Sequence, residues 1–383
     1  MARRALRVLH VVGGMPRAGT ETWLMHLLRH VDRGVLAMDF LVHRTDPQAY
    51  DEEIRRRGAS LIPCLGTFSY AWNFLSVLAD YGPYDIVHSH VQHYGGVILT
   101  LAAAAKVPVR IAHSHNDTVT ETSASGWLRR AYVSAMNALV RHYSTHGIAV
   151  STRAAVALFG SRWKRDSRWR VMPCGLDLKP FQASYDRDAI RSEYGVPLNA
   201  FVVGHVGRFV EQKNHAFLVE IFAAVVRRQP QAVLVLVGEG PLRPDVERQA
   251  ESLGLKDRVR FIGIREDVPK LMGALFDVFL FPSRWEGLGL VLVEAQAAGL
   301  RSVISDVVPH EADVVPGLIR RVSLESSAET WALEACVIGR SRARPATGNW
   351  GFSIESSAAG LLQLYSEAVA RGNNGRAHGV AVS

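Results

Sequence analysis

The feature that most constrains the fold of this chain is an alternation of short β-branched runs with longer helical patterns, repeated in two series along 383 residues. The first series has the strand-like runs RVLHVV, MDFLVH, SLIPCL, DIVHSH, VRIAHS, GIAVS and RWRVMP. The second has FVVGHVG, AVLVLVG, RVRFIG, VFLFP and SVISD. Segments such as TETWLMHLLRHV, between these runs, have the apolar spacing of helices. This alternation is typical of parallel sheets wrapped by helices, so the sequence predicts an α/β protein with two Rossmann-like halves.

The length of the chain exceeds the usual size of one compact core, so two domains are expected. The N-terminal domain is predicted at residues 1–178 and the C-terminal domain at residues 179–351, because glycine and proline interrupt the periodicity in CGLDLKPF. Residues 352–370 predict a closing helix that completes the first domain. The glycine-rich, polar residues 372–383 predict a disordered tail.

Composition excludes several classes of protein. Because 48% of the residues are hydrophobic and 21% are charged, we expect a folded globular protein rather than a disordered or fibrous one. The three cysteines form no CxxC pair, which fits a reducing cytoplasm. The start MARRALRVLHVVGG predicts a first strand instead of a signal peptide, and no apolar run reaches the roughly 18 residues of a membrane-spanning helix. The net charge of +8 favours an anionic partner, which leaves nucleic acid, a membrane surface or phosphorylated small molecules.

A glycine-rich segment, GGMPRAGTETWLMHLL, follows the first predicted strand. Gly13, Gly14 and Gly19 permit tight turns and a close approach of the backbone to an anion at the start of the next helix. The spacing is neither the dinucleotide pattern G-x-G-x-x-G nor a Walker loop. A strand-to-helix turn that merely needs glycine is the alternative.

Two cations follow the first strand of the second series, in VGHVGRFVEQKNHAFLVE. Arg208 and Lys213 should lie at the carboxyl end of that strand, where open α/β sheets bind their ligands. In one loop, the planar fork of an arginine and the point charge of a lysine can clamp a diphosphate without a metal ion. Solvated surface charge is the alternative.

Two glutamates flank a glycine-spaced apolar run in SRWEGLGLVLVEAQAAGL. VFLFPS predicts a strand and VLVEAQAAGL a helix, so Glu286 falls in the loop between them and Glu294 inside the helix. Eight residues apart on one continuous helix, they would point about 80° apart, so a paired acid and base is not expected. Gly287 and Gly289 let the amides of the helix start approach a phosphate, and Glu294 can accept hydrogen bonds from a ribose diol.

Together these segments resemble the retaining glycosyltransferases of family 4, which have the GT-B fold. The run from Glu286 to Glu294 is similar to their E-x7-E pattern, and GRFVEQKN, CGLD and the GGMPRAGTETW loop occupy the places that those enzymes use. With its HSHN motif, the chain is most similar to bacterial exopolysaccharide and capsule transferases, from Val8 to Tyr365. The resemblance implies two Rossmann-like domains whose parallel sheets face each other across a cleft.

The resemblance also implies roles for the residues that would hold a nucleotide-sugar donor. Arg208 and Lys213 would bind its diphosphate, and Glu294 its ribose. Glu286 would bind the sugar and phosphate together with three backbone amides at the helix start. These amides belong to Leu288, Gly289 and Leu290.

Two loops are implied to complete the donor site. The base would lie against the loop from Gly263 to Arg265. Gly19 matches the second glycine of the family's GGxE loop and would face the β-phosphate from the N-terminal domain. Ala18 replaces the first glycine of that loop, which restricts its backbone.

The family places a histidine at a strand end of the N-terminal domain, facing the reacting sugar. In RIAHSHND both His113 and His115 are candidates, and alternation along an extended chain puts them on the same face. A zinc site is an alternative use of the imidazoles of His88, His90, His93, His113 and His115. Because no carboxylate or cysteine completes a recognisable ligand spacing, we predict no metal ion and no cofactor.

Two further patterns have structural interpretations. Asp186 and Asp188 have the D-x-D spacing of metal-dependent glycosyltransferases, but they stand just before a helical pattern, where aspartate is a common N-cap. The stretch SRWKRDSRWR interleaves Trp163 and Trp169 with five cations, a pattern typical of a membrane interface or of a site for single-stranded nucleic acid. No RNA-binding motif accompanies it, and we favour the structural interpretation, a solvated loop and a core-facing helix.

The sequence therefore predicts a hexosyltransferase of EC 2.4 type. It would move a sugar from a nucleoside-diphosphate sugar, expected to be a UDP-sugar, to a hydroxyl of a lipid-linked or growing glycan with retention, in exopolysaccharide or cell-surface polysaccharide biosynthesis. We expect it in the cytoplasm, with the inner face of the membrane as a candidate surface and no nucleic-acid partner. The alternatives are a GT-B sugar epimerase or phosphorylase, an NAD-type oxidoreductase, and a non-catalytic basic binding protein. The oxidoreductase is weakened by the lack of G-x-G-x-x-G.

Overall fold

The computed structural model describes residues 4–119, 122, 125–341, 343–346, 348 and 351–379, with residues 372–379 described by their backbone alone. The chain divides into two compact units. One consists of Met1–Leu176 with Gly351–Ser383, and the other of Asp177–Trp350. The division after residue 176 lies two residues before the predicted one.

The first unit is built on a seven-stranded parallel sheet with the strand order β3-β2-β1-β4-β5-β6-β7. The strands are β1 (Leu6–Val12), β2 (Leu36–Val42), β3 (Leu61–Pro63), β4 (Ile86–Ser89), β5 (Val109–Ser114), β6 (His146–Ala149) and β7 (Trp169–Val171). β1 pairs with both β2 and β4, so the order of the strands reverses between β1 and β4. This reversal is the topological switch point of the sheet, beside which open α/β sheets bind ligands.

The second unit is built on a six-stranded parallel sheet with the order β10-β9-β8-β11-β12-β13. The strands are β8 (Val202–Val206), β9 (Val233–Val237), β10 (Val259–Phe261), β11 (Val278–Phe281), β12 (Ser302–Ser305) and β13 (Ile319–Val322). Here the switch point lies between β8 and β11, which are hydrogen-bonded neighbours. The prediction of two parallel sheets with helices between their strands is confirmed.

Helices connect most of the strands, as the periodicity predicts. They are α1 (Gly19–His30), α2 (Asp51–Arg56), α3 (Tyr70–Tyr81), α4 (Gly95–Ala104), α5 (Trp127–Tyr143), α6 (Thr152–Phe159), α7 (Arg187–Glu193), α8 (His215–Arg228), α9 (Arg243–Ser252), α10 (Val268–Lys270), α11 (Leu290–Ala297), α12 (Ala328–Ile338) and α13 (Ile354–Gly379). A single π-helical turn, Leu271–Leu275, follows α10 directly. No helix among the described residues is both long and apolar enough to cross a bilayer.

The closing helix α13 departs from its predicted end. It continues to Gly379, whereas residues from 372 onward were expected to be disordered. No proline interrupts this stretch, and adding a residue to an existing helix needs no new nucleus, which gives a physical reason for the extension. The last predicted tail residues, 380–383, lie outside the described part of the chain.

Each sheet has its own hydrophobic core. In the first unit, Phe74 and Ile98 pack with buried residues of the central strands. In the second, Phe222 of α8 and Trp331 of α12 are fully buried beside β8 and β9. Burying side chains of this size stabilises a fold by about 1.5–3 kcal/mol each. The carboxyl ends of the strands are therefore fixed by packing, and the loops that follow them carry the polar residues.

Candidate active site

Two loops meet at the switch point of the second sheet. The loop after β8 carries Arg208 and Lys213, and the loop after β11 carries Glu286. Because β8 and β11 are parallel neighbours, both loops leave the sheet at the same edge. The structure thus brings together residues that are far apart in the sequence.

Hydrogen bonds join these two loops. The backbone N–H of Arg284 donates to the carbonyl oxygen of Gln212 at 2.8 Å, and the side-chain amide of Gln212 donates to the carbonyl of Trp285 at 2.9 Å. The amide of Asn214, whose backbone is left-handed (φ 55°), donates to the carbonyl of Pro282 at 3.1 Å. These bonds hold the loops in one arrangement, which preorganises the charged side chains on them.

Lys213 and Glu286 form an ion pair that sequence reasoning missed. Nζ of Lys213 donates to Oε1 of Glu286 at 2.5 Å, and the amide of Gln212 donates to Oε2 at 3.3 Å. The two side chains are 16% and 6% exposed, so both charges are largely removed from water. Removing one partner of a buried pair costs about 3–5 kcal/mol, because the other charge is left uncompensated. An ammonium group has three N–H donors, so this contact leaves donors for a ligand oxygen.

Arg208 is exposed and follows Gly207, at which the loop after β8 closely approaches the loop after β9. Among the described residues, its guanidinium has no hydrogen-bond or ion-pair partner. A Cβ on Gly207 would lie 2.9 Å from Nε2 of His205, and a Cβ on Gly238 would lie 2.1 Å from the carbonyl oxygen of Gly207. Both positions therefore require glycine, and the backbone there brings Arg208 to the same sheet edge as Lys213.

Glu294 lies inside α11, while Glu286 lies in the loop before it, as predicted. Burial raises the pKa of the Glu294 carboxyl from its ordinary 4.5 to about 8. The hydrogen bonds of the described residues include none to this carboxyl group. α11 begins at Leu290 after Gly289, which caps it with φ 85°, a conformation that favours glycine. The partly buried acid without a partner is the kind of group that a ligand hydroxyl can satisfy.

The loop expected to face the base has a structural role of its own. The guanidinium of Arg265 donates to Asp267 at 2.9 and 3.0 Å and to the hydroxyl of Tyr194 at 2.7 Å. Gly263 has φ 69°, and its carbonyl accepts from the N–H of Gly238 at 2.8 Å. This hydrogen bond holds Gly263 next to Gly238, in the loop after β9. Arg265, by contrast, is hydrogen-bonded to Asp267 and Tyr194.

In the first unit, Gly19 is the first residue of α1 and is exposed. Ala18 precedes it with φ −138° and ψ 166°, an extended backbone that any residue adopts. The expected restriction by Ala18 therefore has no cost in this conformation.

The two candidate histidines of the first unit differ in exposure. His113, in β5, is 1% exposed, and the ring of Trp23 lies edge-on to it at 5.2 Å. His115 follows the strand end and is only partly buried. Their rings are stacked at 3.9 Å, so the prediction that they share a face is confirmed. Burial lowers the pKa of both imidazoles, that of His115 to about 3.

A chain of imidazoles runs inward from His115. Its Nε2 lies 2.9 Å from Nδ1 of His90, and Nε2 of His90 lies 3.0 Å from Nδ1 of His10. Nδ1 of His115 lies 3.9 Å from Sγ of Cys174. Burial lowers the pKa of His10 to about 3, so this chain is neutral at physiological pH. The sequence predicts His10 only as a strand residue, because its position opposite His88 follows from the parallel register and not from a local pattern.

Two alternative patterns are resolved by the structure. Asp186 is the N-cap of α7, and its Oδ1 accepts from the N–H groups of Asp188 and Ala189 at 3.0 and 3.1 Å, which confirms the structural interpretation. In SRWKRDSRWR, Trp169 belongs to β7 and stacks in the core on Phe159 at 4.6 Å. That stretch is therefore not a continuous aromatic and basic surface.

Family models match both units. Residues 18–175 match the glycosyl transferase 4-like domain, and residues 186–331 match the model of glycosyl transferases group 1. The chain is 36% identical over 383 residues to the putative glycosyltransferase EpsF of Bacillus subtilis (strain 168), covering 96% of this chain and 98% of that protein. It is 28% identical over 228 residues to the UDP-Gal:alpha-D-GlcNAc-diphosphoundecaprenol alpha-1,3-galactosyltransferase of Escherichia coli, covering 58% of each.

Solved structures show the same fold. Anabaena Alr3699/HepE, solved in complex with UDP and glucose, has a TM-score of 0.73 and 21% identity, covering 99% of this chain and 100% of that one. WaaG, a glycosyltransferase involved in lipopolysaccharide biosynthesis, has a TM-score of 0.68 and 18% identity, with coverage of 96% and 98%. The fold and the two domain models define a glycosyltransferase of EC 2.4 type with the GT-B fold. The chain belongs to glycosyltransferase family 4, beside relatives that act in bacterial exopolysaccharide and capsule biosynthesis.

Proposed function

We propose that the protein transfers a sugar from a UDP-sugar to a hydroxyl of a lipid-linked or growing glycan, with retention of the anomeric configuration. The observation that carries this proposal is the meeting of Arg208, Lys213 and Glu286 at the switch point of the second sheet. The relatives add support, since one is named for a UDP-galactose donor and a diphosphoundecaprenol acceptor, and structures of HepE contain UDP or UDP-glucose. The expected setting is exopolysaccharide or cell-surface polysaccharide biosynthesis.

The leaving diphosphate requires positive charge as its bond to the sugar breaks. In our proposal, the guanidinium of Arg208 binds it as a planar fork, while Lys213 donates to it and keeps its bond to Glu286. The backbone amides of Leu288, Gly289 and Leu290 at the start of α11 add fixed dipoles. One such preorganised donor is worth about 2.7–4 kcal/mol in a transition state, or roughly 100- to 1,000-fold in turnover. These groups supply the stabilisation without a metal ion.

Glu294 would receive the ribose, and Glu286 the transferred sugar. The carboxyl of Glu294 is partly buried and lacks a partner among the described residues, so the two hydroxyls of a ribose would satisfy it. Glu286 accepts from Lys213 and Gln212 with one bond to each oxygen, and each carboxylate oxygen can accept a second bond from a sugar hydroxyl. The base would lie against the loop from Gly263 to Arg265, where the bonds of Arg265 to Asp267 hold its guanidinium in place.

Of the two candidate histidines, we assign contact with the reacting sugar to His115. His113 is enclosed by Trp23 and its neighbours, whereas His115 is partly exposed beyond the end of β5. The stack between the two rings and the bond from His90 would hold His115 in one orientation. A fixed orientation matters because small displacements of a contact group cost much of the rate.

A lipid-linked acceptor would place the enzyme on the inner face of the membrane. Helix α5 offers a surface for this, since Trp127 and Leu128 are 69% and 65% exposed beside the arginines at 129 and 130. Apolar and aromatic side chains next to cations suit an anionic lipid surface. We expect flotation with vesicles that contain anionic lipid and a loss of flotation in Trp127→Ser/Leu128→Ser. Equal flotation of this variant and the unchanged protein would contradict the role of α5.

The experiment that tests the proposed function has two stages. A thermal-shift screen of nucleoside diphosphates identifies the base, and mass analysis then follows products formed from the stabilising donor and a pool of lipid-linked acceptors. We expect a UDP-sugar to stabilise the protein and a glycosylated product to form. Isomerised donor in the absence of acceptor would overturn the proposal in favour of an epimerase, and sugar phosphate formed from the donor on addition of inorganic phosphate would overturn it in favour of a phosphorylase. Donor binding without any product would contradict transfer to this class of acceptor.

A further inference from the structure

Five histidines lie on one face of the first sheet, around its switch point. His10 of β1 is directly opposite His88 of β4 in the parallel register. His90 is two residues beyond His88, and the pair His113 and His115 repeats the same H-x-H spacing on the neighbouring strand β5. Because alternate residues of a strand point to the same side, the pairs of rings gather beside one another. Ring centroids of His88 and His90 are only 4.2 Å apart.

The inner three histidines have the arrangement of a metal site. His10, His88 and His90 each offer a ring nitrogen, and these three atoms lie within 4.8 Å of one another. All three residues are buried, and Nε2 of His88 has no hydrogen-bond partner among the described residues. A buried polar atom without a partner calls for an explanation such as an ion or a water molecule. Nε2 of His10 and both ring nitrogens of the neighbouring His113 are unpartnered among the described residues as well, and such atoms on a preformed set of imidazoles point to an ion.

We propose that His10, His88 and His90 bind one divalent transition-metal ion of the Zn²⁺ class in the first unit, with a water molecule as the fourth ligand. Neutral imidazole is a preferred ligand of zinc, and three histidines form a known ligand set for it. The ion would tie β1 to β4 at the point where the order of the strands reverses. The diphosphate-binding residues proposed above lie on the second sheet, and the proposed metal ligands lie on the first.

The hydrogen bonds around the cluster assign the ligand atoms. Nδ1 of His88 lies 2.6 Å from the hydroxyl of Tyr365, which leaves Nε2 for the ion. Nδ1 of His90 lies 2.9 Å from His115, which leaves its Nε2, and that atom lies 3.0 Å from Nδ1 of His10. In His88 and His90 the other ring nitrogen is engaged, as is usual for metal-bound histidines, which fixes the tautomer and the ring plane.

Only a small movement is needed to admit the ion. Tetrahedral zinc with bonds of about 2.0–2.1 Å sets two ligand nitrogens roughly 3.3 Å apart. Nε2 of His90 and Nδ1 of His10 are 3.0 Å apart, so they must separate by about 0.3 Å. When bound, His90 keeps its proton on Nδ1 and donates it to Nε2 of His115. The ion would thereby position His115, the residue we assign to the sugar.

The test is metal content of the full-length protein, purified with a tag that contains no histidine. After incubation with Zn²⁺ and dialysis, we expect about one equivalent per chain by elemental analysis. His88→Gln and His90→Gln should lose it. His205→Gln is the matched control, because His205 is also a buried strand histidine with an unpartnered Nε2, but it belongs to the second sheet. This control should keep the ion.

Two further measurements keep the proposal testable if a histidine variant fails to fold. Co²⁺ bound to the unchanged protein should give the visible absorption of tetrahedral nitrogen coordination. Tyr365→Phe removes only the hydroxyl that contacts Nδ1 of His88, and it should lower the affinity for the metal ion by roughly 10- to 100-fold. Absence of bound Zn²⁺ and Co²⁺ in the folded, unchanged protein would overturn the site. Loss of metal from His113→Gln and His115→Gln, with retention in His10→Gln and His88→Gln, would overturn the ligand assignment.

Discussion

Replacing Glu294 with glutamine removes an acid that burial keeps protonated at physiological pH. The pKa of the Glu294 carboxyl rises from 4.5 to about 8 in the folded protein because the charged form is poorly solvated. Between these values the folded state holds a proton that the unfolded state has released. The contribution of this group is therefore fully present below pH 4.5 and is lost as pH rises toward 8. Because glutamine does not titrate, Glu294→Gln should not show this pH-dependent loss of stability.

The magnitude follows from proton linkage. A difference of one proton changes the free energy of unfolding by about 1.4 kcal/mol per pH unit. From pH 5.5 to pH 7.5 the unchanged protein should thus lose about 2–3 kcal/mol relative to Glu294→Gln. Because the side chain keeps some exposure to solvent, this figure is an upper bound. The sign and the pH window follow from the direction of the shift alone.

The assay is urea unfolding of both proteins at pH 5.5, 6.5 and 7.5. Taking the difference between them cancels the titration of all other groups, and Glu193→Gln, at an exposed position of the same unit, is the matched control. A difference that is constant across the three pH values would refute the reasoning. If Glu294 also binds the ribose, the glutamine variant should bind UDP more weakly at pH 7.5 while being the more stable protein. Lower stability and unchanged UDP affinity would contradict both roles.

Three further tests use substitutions at other residues. Lys213→Ala should lower turnover on the order of 100-fold or more, and it should also destabilise the fold because it leaves the buried carboxylate of Glu286 without its partner. The double variant Lys213→Ala/Glu286→Gln should restore stability but not turnover. Near-normal transfer by the single variant would remove Lys213 from the mechanism. Asp186→Ala should cost about 1 kcal/mol in chemical unfolding and leave turnover unchanged, whereas loss of activity in the folded variant would reopen a catalytic role for the D-x-D pattern. His115→Gln should lower kcat on the order of 100-fold, while His113→Gln should mainly lower the melting temperature; the reverse assignment of effects would exchange their roles.

The sequence predicted twelve of the thirteen strands in the described part of the chain, and the strand that it missed lacks the apolar run on which such predictions depend. β13, Ile319–Val322, has two arginines at its centre and so lacks an apolar run. It is an edge strand with only β12 as neighbour, and Arg320 reaches out to Glu334 at 2.8 and 2.9 Å. An edge strand needs only one hydrogen-bonded side and tolerates solvated charge. Its place in the sheet is fixed by tertiary pairing, which the local pattern does not encode.

The residues of the candidate site and the elements that carry them were predictable from the sequence, but the contacts between those residues were not. E-x7-E placed Glu286 and Glu294 on separate elements, and the two loops were correctly located at strand ends. The ion pair between Lys213 and Glu286 joins residues 73 positions apart and depends on β8 lying next to β11. That adjacency is a property of strand order, which alternation of strands and helices leaves open.

The same dependence on strand order explains why the sequence did not single out His10. His10 is one polar residue in an apolar run, and its meaning comes only from the parallel register that sets it opposite His88. In both sheets the strand order reverses between the first strand of the unit and a later one. The buried histidines of the first sheet and the buried ion pair between Lys213 and Glu286 of the second both lie at this reversal. At such a point two loops diverge from adjacent strands, so side chains meet without a covering helix directly between them. The second sheet brings a buried cation and carboxylate to this place, and the first brings neutral imidazoles. A shared topology thus hosts two different chemistries, of which the resemblance of motifs indicated one and the register of the strands indicated the other.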